Sequence, residues 1–369
     1  MGESETGGIR LSTEFTIARI EAVRASAAAM DRSGELSEAA LALLYDLRLL
    51  KLFVPEEYGG RMEELPEALR LFEAASRVEG SLGWAATIGS GGGYFAACLP
   101  PDVAATVYSD PRAVIAGSGS PTGRAVRVEG GYRLSGSWKY CSGSTYATTF
   151  TATAIVEGGG APAPDVLAFA LRPEQVRIVP DWRSFGLRAT ASHSIVAEDA
   201  FVPDSHAFRV DRNDRRSEPV YSVPFRPFAE SSFAAVAIGI ARHLFEEAGT
   251  IAEASRDAWS KSGAARCEAV ASRIRRAGER LDARAGRYYE AVERAWARHT
   301  RGYASEADWA DVGRESKAAA DEAVRAGQDV FRSLGIGALM EDAPVNRIWR
   351  DLQTACQHTL LIDFGTEPA

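Results

Sequence analysis

Two stretches of this chain carry side chains whose types and spacing could do chemistry. The first is Gly136-Ser137-Trp138-Lys139-Tyr140-Cys141-Ser142-Gly143. A planar cofactor needs an aromatic wall with hydroxyl or backbone donors at its polar edge, and this segment offers both. An ordinary β-strand would also accommodate Trp138 and Tyr140. The second stretch holds Arg347, Asp351, Thr354 and His358, spaced four, three and four residues apart. On a helix that spacing gathers them on one face, beside the apolar Ile348, Leu352, Ala355 and Ile362. Such a stripe reads either as a solvated face or as a titratable group brought to a site.

Composition narrows the classes. The 369 residues suit two or three subdomains, and 46% apolar with 25% charged residues is a globular balance. A formal charge of −8 argues against nucleic acid as a partner, because phosphate binding wants a basic face. Cys98, Cys141, Cys267 and Cys356 form no CxxC pair, and the five histidines lack metal-ligand spacing. Neither a disulfide framework nor a metal site is expected. The apolar run Phe233 to Ala241 is far short of the ~20 residues that span a bilayer, and Met1 to Arg10 has no apolar h-region. A cytoplasmic protein is expected.

The elements that must position the two stretches fall into three blocks. Residues 1–110 read as a helical domain, with Ser37 an N-cap and Leu65 to Val78 a helix. The apolar, Gly-rich run from Ser81 to Cys98 reads as a buried helix, and its Gly89-Ser90-Gly91-Gly92-Gly93 as close helix packing, since no Lys-Ser/Thr follows it. Residues 111–227 read as a middle β domain. It holds a hairpin turning at Gly130-Gly131 and strands at Thr148 to Val156, Val166 to Leu171, Val176 to Val179 and Ser194 to Val202. Their spacing suggests a small antiparallel barrel or sandwich. Residues 228–369 read as four helices making a bundle, near 229–254, 264–300, 305–334 and 346–362, with Ser305 an N-cap.

That order, with Val54-Pro55-Glu56-Glu57-Tyr58-Gly59-Gly60, Gly186-Leu187-Arg188-Ala189-Thr190-Ala191-Ser192 followed by Val202-Pro203, and Arg350-Asp351, resembles the acyl-CoA dehydrogenase superfamily over nearly the whole chain. The resemblance implies an α+β fold with an N-terminal helical domain, a middle antiparallel β-barrel and a C-terminal four-helix bundle, assembled as a homotetramer. It places Tyr140 against a flavin ring and Ser142 at the flavin N5 edge. Gly117, Ser118 and Ser120 would serve the pyrimidine edge, with FMN or FAD as the cofactor.

Within the superfamily, four departures resemble the flavin-dependent monooxygenases rather than the dehydrogenases. Thr359 stands where a dehydrogenase has its glutamate base, and a carboxylate is needed for that step. His358 lies seven residues after Arg350-Asp351, as in the monooxygenases. Arg256-Asp257-Ala258-Trp259-Ser260 and Leu334-Gly335-Ile336-Gly337-Ala338 lack the dehydrogenase grip on FAD. Ser120-Pro121-Thr122-Gly123 matches the shorter monooxygenase segment. The resemblance therefore implies reduced flavin supplied by a partner reductase, a hydroperoxide at the flavin C4a carbon, and oxygen transfer to a small organic substrate assisted by His358. Two alternatives are an acyl-CoA dehydrogenase or oxidase with its base relocated to Glu230, and a flavin-free scaffold.

Overall fold

The computed structural model describes residues 14–158, 164–212, 215–262 and 265–365. The chain opens with α1 (Ile17–Ser33), α2 (Glu38–Asp46), α3 (Leu65–Val78), α4 (Gly80–Gly91) and α5 (Pro101–Tyr108). Ser37 caps α2 by accepting from the Ala40 N–H at 3.2 Å, as its residue type predicts. The expected helix from Ser81 is interrupted. α4 ends at Gly91 and a 3₁₀ segment carries Gly92–Ala97. The glycines do serve close packing. A Cβ on Gly89 would stand 2.6 Å from Leu50, and one on Gly92 would stand 2.7 Å from Ile115.

The middle region holds β1 (Ile115–Val128), β2 (Gly131–Cys141), β3 (Thr149–Glu157), β4 (Asp165–Leu171), β5 (Arg177–Val179), β6 (His193–Pro203) and β7 (Ala207–Phe208). They form one sheet in the order β5-β6-β2-β1-β3-β4-β7, antiparallel except for the β1–β3 pair. The expected barrel is therefore corrected to an open sheet. Its edge strands, β5 and β7, are three and two residues long and do not pair with each other. The first hairpin also turns one residue earlier than expected. Val128 pairs with Gly131, so Glu129 and Gly130 make the turn and Gly130 takes φ +74°. Trp138 is fully buried in the sheet's own core, its indole N–H on the Thr153 carbonyl at 2.7 Å. It is a packing residue.

Helices return with α6 (Phe225–Ala254), α7 (Arg256–Ser262), α8 (Ala265–His299), α9 (Glu306–Leu334) and α10 (Pro344–Ala355). Ser305 caps α9 in a reciprocal box with Asp308. The expected four-helix bundle is not confirmed in that form. Three of these helices are long, α10 has twelve residues, and α3 of the first block packs along α6. One hydrophobic core runs through both helical blocks. This explains why α6 is buried on every side from Phe228 to Ala241.

α10 also stops early. It ends at Ala355, and His358 adopts an extended ψ of 128° at the head of a 3₁₀ turn over Thr359–Leu361. His358 therefore does not share a helical stripe with Arg347, Asp351 and Thr354. Arg350 of α10 forms an ion pair with Asp31 at 2.7 Å and donates to the Phe185 carbonyl at 2.6 Å. Both charged side chains are largely buried. Arg350→Ala would leave Asp31 unpaired, and urea unfolding should show a loss of about 3 kcal/mol.

Candidate active site

The Tyr140–Ser144 turn at the end of β2 and the Leu187–Ser192 loop before β6 are tied together. Gly143 N–H donates to the Thr190 carbonyl at 2.8 Å, and Ser144 Oγ donates to the Ala191 carbonyl at 2.7 Å. From below, Asp351 of α10 accepts the Leu187 N–H at 2.5 Å. Tyr140, Leu187 and Ala191 all take left-handed φ values of +66°, +51° and +45°. Each such non-glycine residue costs on the order of 1–3 kcal/mol. Half of the described residues of this kind sit within these two segments. The surrounding hydrogen bonds hold a conformation that the backbone alone would leave.

Inside this seam runs a chain of side-chain hydrogen bonds. Trp84 Nε1 of α4 lies 3.0 Å from Ser142 Oγ, Ser142 Oγ 2.7 Å from Ser192 Oγ, and Ser192 Oγ 2.6 Å from Thr190 Oγ1. Thr190 Oγ1 ends the chain on the Leu187 carbonyl at 2.8 Å. Ser142, Thr190 and Ser192 are all buried. On its other face, Trp84 stacks on Phe233 of α6, ring centroids 5.1 Å apart and planes 14° apart. Phe233 in turn meets the His358 ring at 4.3 Å, with Trp84 6.1 Å from that ring. The two residues singled out in the sequence, Ser142 and His358, are thus the ends of one contact path. It crosses the N-terminal helices, the sheet and the last turn.

His358 is fixed electrostatically as well as sterically. Burial among these rings lowers its pKa to about 4, so the imidazole is neutral at pH 7. Its Nδ1 accepts the Leu360 N–H at 3.3 Å. A neutral imidazole with Nδ1 accepting carries its proton on Nε2. An imidazole at such a site can act as a hydrogen-bond donor or as a base. The geometry favours a donor at Nε2.

Tyr140 does not join the path. Its ring is 69% exposed and rests edge-on against Trp182 at 6.1 Å. Trp182 is held by the same loop, its indole N–H on the Leu187 carbonyl at 3.1 Å. Gly117, Ser118 and Ser120 lie on β1. Between Ser118 and Gly123 the pairing with β3 shifts, leaving Gly119 to Thr122 outside that ladder. Thr122 Oγ1 donates to the Ser137 carbonyl at 2.7 Å, which sets this displaced backbone beside the strand that carries Tyr140. Ser120 is exposed and Ser118 half-buried. An exposed ring, a displaced strand edge, a buried hydroxyl and a neutral imidazole donor are the parts that a flat heterocycle with one polar edge requires. These residues fit a flavin.

Other expected or candidate residues fall elsewhere. Glu230 is buried on α6, ion-paired with Arg226 at 2.9 Å and with Lys317 of α9 at 3.2 Å. Thr359 is exposed. Phe228 packs in the aromatic core with Phe53 and Tyr94, and Phe95 is half-buried against Phe208. Two surface hollows, of about 530 Å³ beside Glu14 and Arg61 and about 460 Å³ at Arg215 to Glu218, contain none of the site side chains. Beneath the site, Glu79 caps α4 through the Leu82 N–H at 2.7 Å and faces Asp351. Burial, then the charge of Glu79, raises Asp351 well above the usual carboxylate range. Sequence reasoning missed Phe233, Trp182 and the roles of Thr190 and Ser192. A hydroxyl-rich Thr190-Ala191-Ser192 opposite Ser142-Gly143-Ser144 was the signal available for the last two.

Residues 14–98 match the family described as acyl-CoA dehydrogenase, N-terminal domain, and residues 231–362 match acyl-CoA dehydrogenase, C-terminal domain. Indole-3-acetate monooxygenase of Pseudomonas putida is 30% identical over 357 residues, covering 94% of this chain and 89% of that protein. The flavin-dependent monooxygenase oxygenase subunit HsaA of Mycobacterium tuberculosis is 26% identical over 370 residues, covering 91% and 88%. In fold, the crystal structure of 3-HSA hydroxylase from Rhodococcus sp. RHA1 superposes with a TM-score of 0.86 at 22% identity, covering 93% and 91%. Among the described residues, no helix is long and apolar enough to cross a membrane.

The His358 environment makes a pH prediction. The folded pKa lies near 4 and the unfolded value near 6.5. The stability this group contributes is therefore present above pH 6.5 and lost as pH falls toward 4. Between pH 7 and pH 5, urea unfolding of the native protein should lose about 2 kcal/mol more than that of His358→Gln. Together, the fold, the two family matches and the relatives show that this chain belongs to the acyl-CoA dehydrogenase superfamily, in its flavin-dependent monooxygenase branch, and is an oxidoreductase.

Proposed function

We propose that this chain is the oxygenase component of a two-component monooxygenase that takes reduced FMN or FAD from a separate reductase and oxygenates a small organic substrate. The observation that carries this reading is the contact path from Ser142 through Trp84 and Phe233 to His358. It puts a hydroxyl and an imidazole donor at the two ends of one aromatic stack. Reduced flavin, when bound, supplies the electrons and the activation of O₂. Tyr140 would cover one face of the ring, Ser142 would meet its N5 edge, and Gly117, Ser118 and Ser120 would serve the pyrimidine edge. His358 donates from Nε2 to the oxygen being transferred. Trp84 and Phe233 close the site to water, which strengthens each of these hydrogen bonds. We further propose a cytoplasmic homotetramer.

A relocated dehydrogenase base is the weaker reading, because the Glu230 carboxylate is engaged with Arg226 and Lys317. The test is oxygen-dependent product formation with a generic flavin reductase, NADH and a panel of aromatic acids. Indole-3-acetate, named for one relative, comes first. Removing one preorganised donor costs about 10²–10³ in kcat. His358→Ala should show that loss while its Kd for reduced FMN stays within about threefold of the parent. An unchanged turnover rate would remove His358 from the chemistry. Colour bleaching of tightly bound FAD by an acyl-CoA would favour the dehydrogenase, and binding of neither flavin form would favour a scaffold.

A further inference from the structure

The hydrogen-bond chain at Ser142 has a direction, and the direction can be derived. A carbonyl oxygen only accepts and an indole N–H only donates, whereas each hydroxyl has one proton. Thr190 Oγ1 lies 2.8 Å from the Leu187 carbonyl, so the Thr190 proton lies on that contact. Thr190 can then only accept from Ser192, which donates at 2.6 Å. Ser192, its proton committed, can only accept from Ser142, which donates at 2.7 Å. At the other end, Trp84 donates to Ser142 at 3.0 Å. Ser142 Oγ is left with one lone pair and no proton to offer. Reversing the chain would set the Thr190 and Leu187 oxygens 2.8 Å apart with no proton between them. Because Ser142, Thr190 and Ser192 are buried, bulk water is not at hand to supply one.

We propose that this one-way chain makes Ser142 an acceptor only, and that it thereby selects the reduced over the oxidised flavin. The inference rests on the reading that Ser142 meets the flavin N5 edge. Reduced flavin carries a proton on N5 and donates. Oxidised flavin has a bare N5 lone pair and accepts. An acceptor-only hydroxyl forms a hydrogen bond with the first and opposes two lone pairs in the second. Thr190 and Ser192 are positioning residues in this scheme. They act on the cofactor through the proton of Ser142 and need not touch it.

The experiment is anaerobic titration of the full-length protein with FMN, oxidised and dithionite-reduced, to give the ratio of the two Kd values. The parent protein should bind reduced FMN at least about tenfold more tightly, the worth of one hydrogen bond made against one opposed. Ser192→Ala removes the acceptor for the Ser142 proton and frees it to donate. The Kd for oxidised FMN should then tighten about fivefold and the ratio should collapse. Thr190→Val should do the same, because Ser192 would turn its proton toward Ser142. Thr190→Ser keeps the hydroxyl and should keep the ratio. A ratio unchanged in both Ser192→Ala and Thr190→Val overturns the inference while leaving flavin binding intact. Equal affinity of the parent for both forms also overturns it. If the parent binds neither form, the proposed function fails first, and this inference with it.

Discussion

The structure depends on a seam of hydrogen bonds between two strained backbone segments. The Tyr140–Ser144 turn follows β2 and the Leu187–Ser192 loop precedes β6, its neighbour in the sheet, and Gly143 and Ser144 of the turn donate to the Thr190 and Ala191 carbonyls of the loop. Three residues with left-handed backbones are held there by what surrounds them. Asp351 anchors the loop from α10, and Trp84 reaches it from α4. Without the seam, Ser142 has no fixed partner and Trp182 loses the carbonyl that orients it.

Packing then carries the site from the sheet to the helices. Trp84 has one face on Phe233 and its N–H on Ser142, so it couples an apolar stack to a polar chain. The same apolar surroundings that seat His358 remove its charge. An uncharged imidazole with its proton on Nε2 is a donor without the cost of a buried cation. Glu79 and Asp351 lie below, each fully buried, and each supports a backbone N–H. Their burial is tolerable because they are hydrogen-bonded and because Asp351 is held toward its neutral form.

Much of the helical framework was legible in residue types. Ser37 and Ser305 cap the helices they precede, and Leu65 to Val78 forms a helix with the expected bounds. Four sheet strands lie within a few residues of where alternation puts them. Long-range relations were less legible. The parallel β1–β3 pair and the open edges are decided by strand order, which no local pattern encodes. The Gly130-Gly131 pair permits two turn registers, and pairing across the hairpin chose one. Nothing in Thr354-Ala355-Cys356-Gln357 announces a helix end. α10 stops because the Thr359–Leu361 turn packs back against α6 and α9. At the site, Ser142 and His358 were visible as chemistry, but the partners that join them lie 58 and 50 residues from Ser142 and 125 residues from His358 along the chain. A single sequence shows which residues can form hydrogen bonds and stack, and tertiary structure decides which ones do.

In the proposed arrangement the polar chain at Ser142 and the imidazole of His358 would face one bound flavin. An anaerobic crystal structure of the protein with reduced FMN tests it most directly. The flavin ring should lie beside Tyr140, with N5 within about 3.2 Å of Ser142 Oγ and His358 Nε2 directed at the space over the adjoining carbon. A flavin seated elsewhere, or one whose N5 is turned away from Ser142, would contradict it.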